Sequence, residues 1–313
     1  MAQAIEYIQF GGPEVLTRAE VTSPAPGAGE VTVRIDAAGV NPIDAKIRSG
    51  LRPTGAITAP RRIGGDGAGT VIAVGPDVED VAVGQDVIVF GATGTYATEI
   101  TVPTGCVQPR PPQVSAAEGA ALGVPAGTAY QTLRSLSVRA GDTVLVHGGS
   151  GAVGQALVQF ATLWGAAVVA TASGRRHDRL RELGAIPVAY GDGLEQRVRA
   201  AAPAGITAVV DVAGTDEAID VSLRLAPDRA RVATLVRGAD AAALGIRAFL
   251  GGSPEPLTPR QQQLRAEAMP VTLALMAAGR FSVELGPSFP LAEAAEAHRA
   301  LAAGVDGKIT LIP

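Results

Sequence analysis

A glycine-rich turn joins an apolar run to a predicted helix near the middle of the chain. The apolar residues 144–146 are followed by His147, and Gly149, Gly151 and Gly154 then fit the pattern G-x-G-x-x-G. Glycine lets the backbone approach a pyrophosphate, whose charge is favoured by helix N–H groups and by the positive end of the helix dipole. Because this turn follows a strand and opens a helix, it predicts a dinucleotide site rather than a turn that only serves packing.

The segment after the second apolar run indicates which dinucleotide is bound. An NAD enzyme usually places Asp or Glu there, against the ribose hydroxyls. This chain instead has Ser173, Gly174, Arg175 and Arg176, and guanidinium groups can bind a 2′-phosphate bidentately. In the alternative interpretation, both arginines are solvated residues opening the next helix, where their charge would oppose the helix dipole. The pattern therefore favours NADPH.

The elements that must position these residues fall into two groups. Up to about residue 120, short runs rich in Val, Ile and Gly alternate with turn residues, which predicts a mostly antiparallel β domain. From about Ala116, helical segments alternate with apolar strands, as in βαβ units around a parallel sheet. The predicted strands of that sheet are residues 143–147, 167–171, 186–189, 208–212 and 231–236.

The last part of the chain is expected to complete the β domain. A long helical stretch after Pro259 is predicted to be interrupted by Pro270, and residues 291–303 form another helix. The closing strand, residues 308–312, is expected to return to the β domain. The predicted fold is thus α/β. It combines a Rossmann doubly wound parallel sheet over residues 123–267 with a mostly β domain over residues 1–122 and 268–313, with a cleft between them.

Composition excludes several classes of partner. The 313 residues carry a formal net charge of −4 and scattered arginines, so nucleic acid is not expected as a partner. No apolar run approaches the ~20 residues that span a bilayer, and the N-terminus has no charged-then-apolar leader, so we expect a cytoplasmic protein without membrane contact. One cysteine and three histidines leave few soft ligands for a metal.

Several separated motifs in order resemble the medium-chain dehydrogenase/reductase superfamily, specifically its zinc-free quinone oxidoreductase (zeta-crystallin-like) branch. The resemblance covers essentially the whole chain, and it identifies the mostly β domain as GroES-like. The motifs that carry it are residues 38–44 and 47–50, residues 64–71, residues 94–97, residues 127–130, the glycine turn, residues 183–185, residues 211–214 and residues 307–309.

The same resemblance predicts that no zinc is bound. Zinc alcohol dehydrogenases of the superfamily have Cys at the position of Asn41 and a His–Glu pair at the positions of Gly65 and Asp66. Without a metal to polarise an alkoxide, hydride addition to an electron-poor carbon suits the site. The resemblance therefore implies hydride transfer from NADPH to a small electrophilic acceptor, a quinone or an α,β-unsaturated carbonyl.

The resemblance also implies the residues at the reacting end of the cofactor. Asn41 and Asp44 are expected to line the nicotinamide, although Asp44 is equally consistent with a helix N-terminal residue. Lys46 stands where many relatives have Tyr. Pointing inward it would stabilise an oxyanion or relay a proton, and pointing outward it is an ordinary surface lysine.

The remaining implied cofactor contacts follow the dinucleotide from the nicotinamide ribose to the adenosine end. Tyr190 alternatively covers the core, Lys308 is alternatively a capping surface charge, and Tyr96 and Asp66 are expected to be structural, in packing and in binding turn amides. The implied contacts are Thr128 at the nicotinamide ribose, Gly149, Ser150, Gly151, Ala152, Val153 and Gly154 at the pyrophosphate, Ser173, Arg175, Arg176 and Tyr190 at the adenosine phosphate, backbone around Ala213, Leu235 and Phe249 at ribose and carboxamide, and Lys308 near the cleft.

Two other functions stay open at this point. An enoyl-thioester or polyketide-tailoring reductase would share the hydride step, and an NADPH-binding protein without turnover would share only the cofactor site. The acceptor pocket is expected on residues 51–59 and 251–259. We also expect a homodimer, paired through the sheet edge near residues 246–250.

Overall fold

The computed structural model describes residues 1–52, 54–249 and 255–313, and the chain forms two compact units. One, the β unit, comprises Met1–Val124 and Met269–Pro313, and the other, the α/β unit, comprises Pro125–Ala268. The predicted domain limits lie close to these divisions. The first, after residue 122, is two residues before the division at Val124, and the second, after residue 267, is one residue before the division at Ala268.

Within the described residues, strands predominate up to Pro109, and strands and helices alternate from β9 onwards, as the sequence pattern predicts. The strands are β1 (Ala2–Tyr7), β2 (Thr17–Val21), β3 (Glu30–Gly39), β4 (Arg61–Arg62), β5 (Asp66–Val74), β6 (Asp86–Val89), β7 (Glu99–Pro103), β8 (Val107–Pro109), β9 (Thr143–His147), β10 (Ala167–Thr171), β11 (Ile186–Val188), β12 (Ala208–Asp211), β13 (Val232–Thr234), β14 (Arg247–Ala248), β15 (Leu285–Pro290) and β16 (Lys308–Ile312). The helices are α1 (Pro42–Arg48), α2 (Ala116–Ala120), α3 (Gly123–Ser135), α4 (Ala152–Leu163), α5 (His177–Glu182), α6 (Leu194–Ala201), α7 (Asp216–Leu225), α8 (Gly238–Leu244), α9 (Pro259–Ala277) and α10 (Ala294–Ala303).

The β unit is built on two sheets. The larger sheet has the order β15-β16-β3-β5-β6-β8, with β7 also pairing with β3, and the smaller has the order β2-β1-β4. Alternating apolar residues of these strands, such as Val31, Val33 and Ile35 of β3, pack into one buried core with residues of α10. The strand predicted for residues 308–312 pairs antiparallel with β3, so its predicted return to this domain is confirmed.

The α/β unit contains one parallel sheet with the order β11-β10-β9-β12-β13-β14. This is the doubly wound order 3-2-1-4-5-6, in which β9 and β12 flank the point where the winding reverses. Leu145, Val169 and Val209 lie in the core that α6 and α7 cover. The predicted Rossmann fold is therefore confirmed, and the structure shortens the predicted third and fifth strands to Ile186–Val188 and Val232–Thr234.

One predicted interruption is wrong. The helix α9 continues through Pro270, although proline removes one helical N–H donor and crowds the preceding turn. Burial explains the difference: Ala268, Met269 and Thr272 around the proline are buried, and packing of this kind outweighs local propensity. Among the described residues, none of the helices is both long and apolar enough to cross a membrane.

Candidate functional site

In the glycine turn between β9 and α4, some glycines are required by the fold and one leaves open space. A Cβ at Gly154 would lie 2.3 Å from the Gly148 carbonyl oxygen, and Gly148 itself has a φ of +74°, so both positions require glycine for the fold. Gly151 is the N-cap of α4, with φ −74° and ψ 166° and no side-chain cap. A Cβ on Gly151 would meet its nearest protein atom only at 3.8 Å. The space beside Gly151 is therefore open for a ligand bound to the helix N-terminus.

Hydrogen bonds tie the turn to the end of β10. Thr171 accepts from the Gly149 N–H at 2.9 Å through its carbonyl and from the Gly148 N–H at 3.1 Å through its hydroxyl. The Gln155 amide donates to the Ser150 carbonyl at 2.9 Å and accepts from Arg179 Nε at 3.0 Å. Arg179 is a cation beside the turn that sequence reasoning missed. Its spacing of four residues from Arg175 was the available signal.

The segment after β10 places the two predicted arginines in different environments. Ser173 precedes a short 3-10 turn, Gly174–Arg176, in which Arg175 is exposed and Arg176 is buried. No Asp or Glu occurs between residues 172 and 177. Tyr190 is 61% exposed, so the alternative that it covers the core is wrong. Arg175 is thus the residue of this pair that is exposed to solvent.

Three further predicted residues lie just beyond the carboxyl ends of neighbouring strands. The Ala213 N–H donates to the Asp211 carboxylate at 3.0 Å, the Leu235 N–H to the Asp211 carbonyl at 2.9 Å, and the Phe249 N–H to the Thr234 carbonyl at 3.3 Å. Ligands of open parallel sheets bind at this edge. The α/β unit therefore brings its predicted cofactor residues beyond β9, β10, β12, β13 and β14 to one edge of one sheet.

Thr128 belongs to α3 in the same unit. It is buried, and its hydroxyl accepts a hydrogen bond from Arg265 Nη1 at 2.8 Å. Since a hydroxyl can donate while it accepts, Thr128 retains a donor for a ligand.

In the β unit, strand register gathers four polar side chains from three separate parts of the sequence. Gly39 of β3 lies opposite Asp66 of β5 and opposite Thr310 of β16, which brings the neighbouring Asn41 and Lys308 to the same strand ends. The Asn41 amide donates to the Asp66 carboxylate at 2.9 Å and its oxygen accepts from Lys308 Nζ. Together with Asp44, which binds the Asn41 backbone, these side chains form one buried group of four.

Asp44 is both a helix-capping residue and a member of that buried group. It is the third residue of α1, and its carboxylate accepts from the Asn41 backbone N–H at 2.9 Å. Burial raises the pKa of Asp44 to about 7, and the charge of Asp66 adds to the rise, whereas the Asn41 N–H, Lys308 and Tyr96 oppose it. Asp44 therefore changes protonation state near neutral pH, which suits a residue that exchanges protons.

Lys308 is the cation of this group. Burial lowers its pKa, and the carboxylates of Asp66 and Asp44 oppose the change. Lys308 is 4% exposed, so the alternative that it is a surface capping charge is wrong. Its contact is with Asn41, which places it at the predicted reacting end.

Two residues expected to be only structural have more specific partners. Asp66 binds the Asn41 side chain and the Val124 N–H at the start of α3. Tyr96 is fully buried and its hydroxyl donates to the Asp44 carboxylate at 3.0 Å. It also lies 3.3 Å from Nε2 of His298, a residue of α10 that sequence reasoning missed entirely.

Three predictions remain, and they concern Lys46, a metal site, and the acceptor loops with the dimer edge. Lys46 is half-buried on α1. Within the described ranges, no group of three or more His, Cys, Asp or Glu side chains could hold a metal ion. Of the predicted acceptor loops and dimer edge, Pro53 and residues 250–254 lie outside the described residues.

Comparison with known proteins adds independent findings. The family described as Alcohol dehydrogenase GroES-like domain matches residues 27–112, and the family described as Zinc-binding dehydrogenase matches residues 183–311. The quinone oxidoreductase of Rattus norvegicus is 38% identical over 186 residues, which are 58% of this chain and 55% of the rat protein. This chain thus spans about half the length of that relative and of several other mammalian ones.

Two matches extend over the whole chain. The quinone oxidoreductase of Lama guanicoe is 30% identical over 100% of this chain and 98% of its own length. The crystal structure of the Escherichia coli quinone oxidoreductase complexed with NADPH superposes with a TM-score of 0.84 at 25% identity, covering 99% of this chain and 100% of that one. The fold, the order of the motifs and these full-length matches agree, and the chain belongs to the quinone oxidoreductase branch of the medium-chain dehydrogenase/reductase superfamily.

Proposed function

We propose that this chain is a zinc-independent, NADPH-dependent oxidoreductase that transfers hydride to a quinone or an α,β-unsaturated carbonyl acceptor. The observation that carries the proposal is the open N-terminus of α4 at Gly151, combined with Arg175 in place of a carboxylate after β10. A helix N-terminus with room for a phosphate fits a pyrophosphate, and an exposed guanidinium fits the 2′-phosphate. Bound NADPH supplies the hydride.

The chain's own residues then have distinct tasks. Residues 149–154 hold the pyrophosphate, Ser173, Arg175, Arg176 and Tyr190 the adenosine phosphate, and Thr128, Ala213, Leu235 and Phe249 the ribose and carboxamide. Asn41, Asp44 and Lys46 serve the reacting end, with Lys308 beside them. There, a donor must meet the oxygen that gains charge in an enolate or quinol, and Asp44 or Lys46 supplies that proton.

The two partners of Asn41 support the proposed zinc independence. Asn41 stands at the position of a zinc-binding cysteine in the zinc dehydrogenases, and it is engaged by Asp66 and Lys308. An amide held between a carboxylate and an ammonium group does not offer the Cys and His ligands that zinc prefers. We expect full activity after dialysis against a chelator, and a loss restored by zinc would contradict this part of the proposal.

Arg175→Ala should separate the two dinucleotides. Loss of a charge-assisted hydrogen bond costs about 1.5–3 kcal/mol, so the Kd for NADPH should rise about 10- to 100-fold while the Kd for NADH stays within about twofold. Fluorescence titration with both cofactors measures this. Arg181→Ala, on an exposed arginine paired with Asp178, is the control and should leave both values unchanged. Equal weakening of NADH and NADPH would argue against a 2′-phosphate contact.

Acceptor screening distinguishes the proposed reaction from the two alternatives. We expect quinones and α,β-unsaturated carbonyls to drive NADPH oxidation. A strong preference for enoyl thioesters would instead support a thioester reductase, and tight NADPH binding with no acceptor would support a binding protein without turnover.

We also propose that the protein is a cytoplasmic homodimer. The edge strand β14 of the parallel sheet would pair with the same strand of a second copy. Sedimentation velocity at micromolar concentration should show one dimeric species, and a single monomeric species would contradict the proposal.

A further inference from the structure

A chain of three hydrogen bonds, all between buried side chains of the β unit, ends on Asp44. Arg48 Nη1 lies 2.8 Å from His298 Nδ1, His298 Nε2 lies 3.3 Å from the Tyr96 hydroxyl, and that hydroxyl lies 3.0 Å from the Asp44 carboxylate. We propose that Arg48, His298 and Tyr96 are positioning residues for the reduction, forming a one-way donor chain that fixes the orientation and charge state of Asp44.

The direction of the chain follows from its first member. A guanidinium group has only donors, so His298 Nδ1 must accept from Arg48 and the ring proton must be on Nε2. Nε2–H then donates to the Tyr96 oxygen, which leaves the Tyr96 proton for Asp44. With Asp44 ionised, each bond therefore points from the guanidinium towards the carboxylate.

The environment of each member supports this assignment. His298 is 1% exposed, and burial together with the nearby Arg48 lowers its pKa to about 4, which keeps the ring neutral. Burial and the adjacent Asp44 raise the pKa of Tyr96 well above its usual value, so the phenol keeps its proton. A neutral imidazole and a protonated phenol are the forms that a one-way chain requires.

The donor chain opposes the rise in the pKa of Asp44 that burial causes. The groups that face this carboxylate are the Asn41 N–H, Tyr96, Asp66 and Lys308, and of these only the charge of Asp66 adds to the rise of its pKa. Because Tyr96 stabilises the ionised form, removing its hydroxyl must raise the pKa of Asp44 further. The pH at which Asp44 loses its proton is therefore set partly by residues that lie 52 and 254 positions away in sequence.

The first experiment tests the proton positions in the unaltered protein. The chain contains three histidines, so a ¹⁵N spectrum of histidine-labelled protein is simple, and His298→Gln identifies the signals of His298. We expect an unprotonated Nδ1 and a protonated Nε2 throughout pH 6–8. A proton on Nδ1 in that range would overturn the proposal.

The second experiment titrates Asp44 by ¹³C spectroscopy of aspartate-labelled protein, with Asp44→Asn assigning its signal. Tyr96→Phe should raise the midpoint by about one pH unit, since a hydrogen bond to a charged group is worth about 1.5 kcal/mol or more. His298→Gln should leave it nearly unchanged, because the amide can accept from Arg48 and donate to Tyr96, whereas His298→Ala should raise it. An unchanged or lowered midpoint in Tyr96→Phe would overturn the proposal.

A matched control removes a similar hydroxyl elsewhere. Tyr130 donates to the Glu267 carboxylate at 2.6 Å in the α/β unit, so Tyr130→Phe deletes the same kind of bond and should leave the Asp44 midpoint unaltered. A shift as large in this control as in Tyr96→Phe would count against the donor chain.

This inference rests on the proposed function only in placing Asp44 at the reaction. With an active acceptor, the limb of the pH–rate profile that depends on Asp44 should move to higher pH in Tyr96→Phe and by the same amount as the ¹³C midpoint. If no acceptor is turned over while the spectra behave as expected, the reductase assignment fails and the donor chain stands. If an acceptor is turned over but the Asp44 midpoint does not shift in Tyr96→Phe, the donor-chain proposal is wrong and the reductase assignment stands.

Discussion

Gly151→Ala should weaken NADPH binding about 100-fold and leave the free energy of unfolding almost unchanged. The φ and ψ of Gly151 are accessible to alanine, and the added methyl group would meet its nearest protein atom at 3.8 Å, an ordinary contact distance. The same methyl would occupy the space in which a phosphate approaches the first N–H groups of α4. Loss of one or two charge-assisted hydrogen bonds, about 3 kcal/mol, corresponds to this change in Kd.

Gly154→Ala is the contrasting variant in the same turn. Its methyl group would be 2.3 Å from the Gly148 carbonyl oxygen and 2.7 Å from backbone atoms of Gly149, so the turn itself must move. We expect a lower unfolding temperature in addition to weaker binding. Calorimetry measures the unfolding temperature, and fluorescence titration measures NADPH binding. If Gly151→Ala bound NADPH as the unaltered protein does, the open space at Gly151 would not be the phosphate site.

Lys308→Met should destabilise the protein by about 3–5 kcal/mol, the usual cost of leaving buried charges without their partner. Lys308 is the ammonium group that faces the carboxylates of Asp44 and Asp66 in the buried group. Without it, proton uptake by a carboxylate relieves the repulsion, so the loss of stability should be smaller at pH 5 than at pH 8. Calorimetric unfolding across this pH range measures both the size of the destabilisation and the direction of its pH dependence.

The chain provides its own control for this substitution. It has two lysines and 24 arginines, and the other lysine, Lys46, is half-buried on α1. Lys46→Met removes the same charge and should change the free energy of unfolding by about 0.5 kcal/mol or less. In Lys308→Met/Asp66→Asn, part of the lost stability should return. Equal effects of Lys46→Met and Lys308→Met would show that the buried ion group is not the cause.

The α/β unit was largely predictable because its elements carry local signals. The glycine turn, the strand limits at residues 143–147 and 167–171, and the missing carboxylate before His177 are each visible within about ten residues. The prediction failed at Pro270, where the local rule for proline was correct but burial outweighed it. Local rules also could not separate the exposed Arg175 from the buried Arg176.

The polar group of the β unit was only partly predictable. Family resemblance predicted Asn41 and Asp44 near the reacting end and Lys308 near the cleft, but their hydrogen bonds depend on the pairing of β3 with β5 and β16. His298 had no local signal, because a histidine on an Ala-rich helix is common in ordinary packing. Tyr96 lies in the motif of residues 94–97, but that motif carried no signal for its contact with Asp44. Contacts between residues more than 200 positions apart arise from topology rather than from neighbouring sequence.

The pairing of β16 with β3 also has a consequence for synthesis on the ribosome. The α/β unit ends at Ala268, so its whole sheet is available before residues 269–313 have been made. The β unit, in contrast, also contains strands made before the α/β unit, and these must wait for β15 and β16, which are made after it. Since domains generally fold as units, the α/β unit should reach its native state first, while the strands made before it wait for β15 and β16.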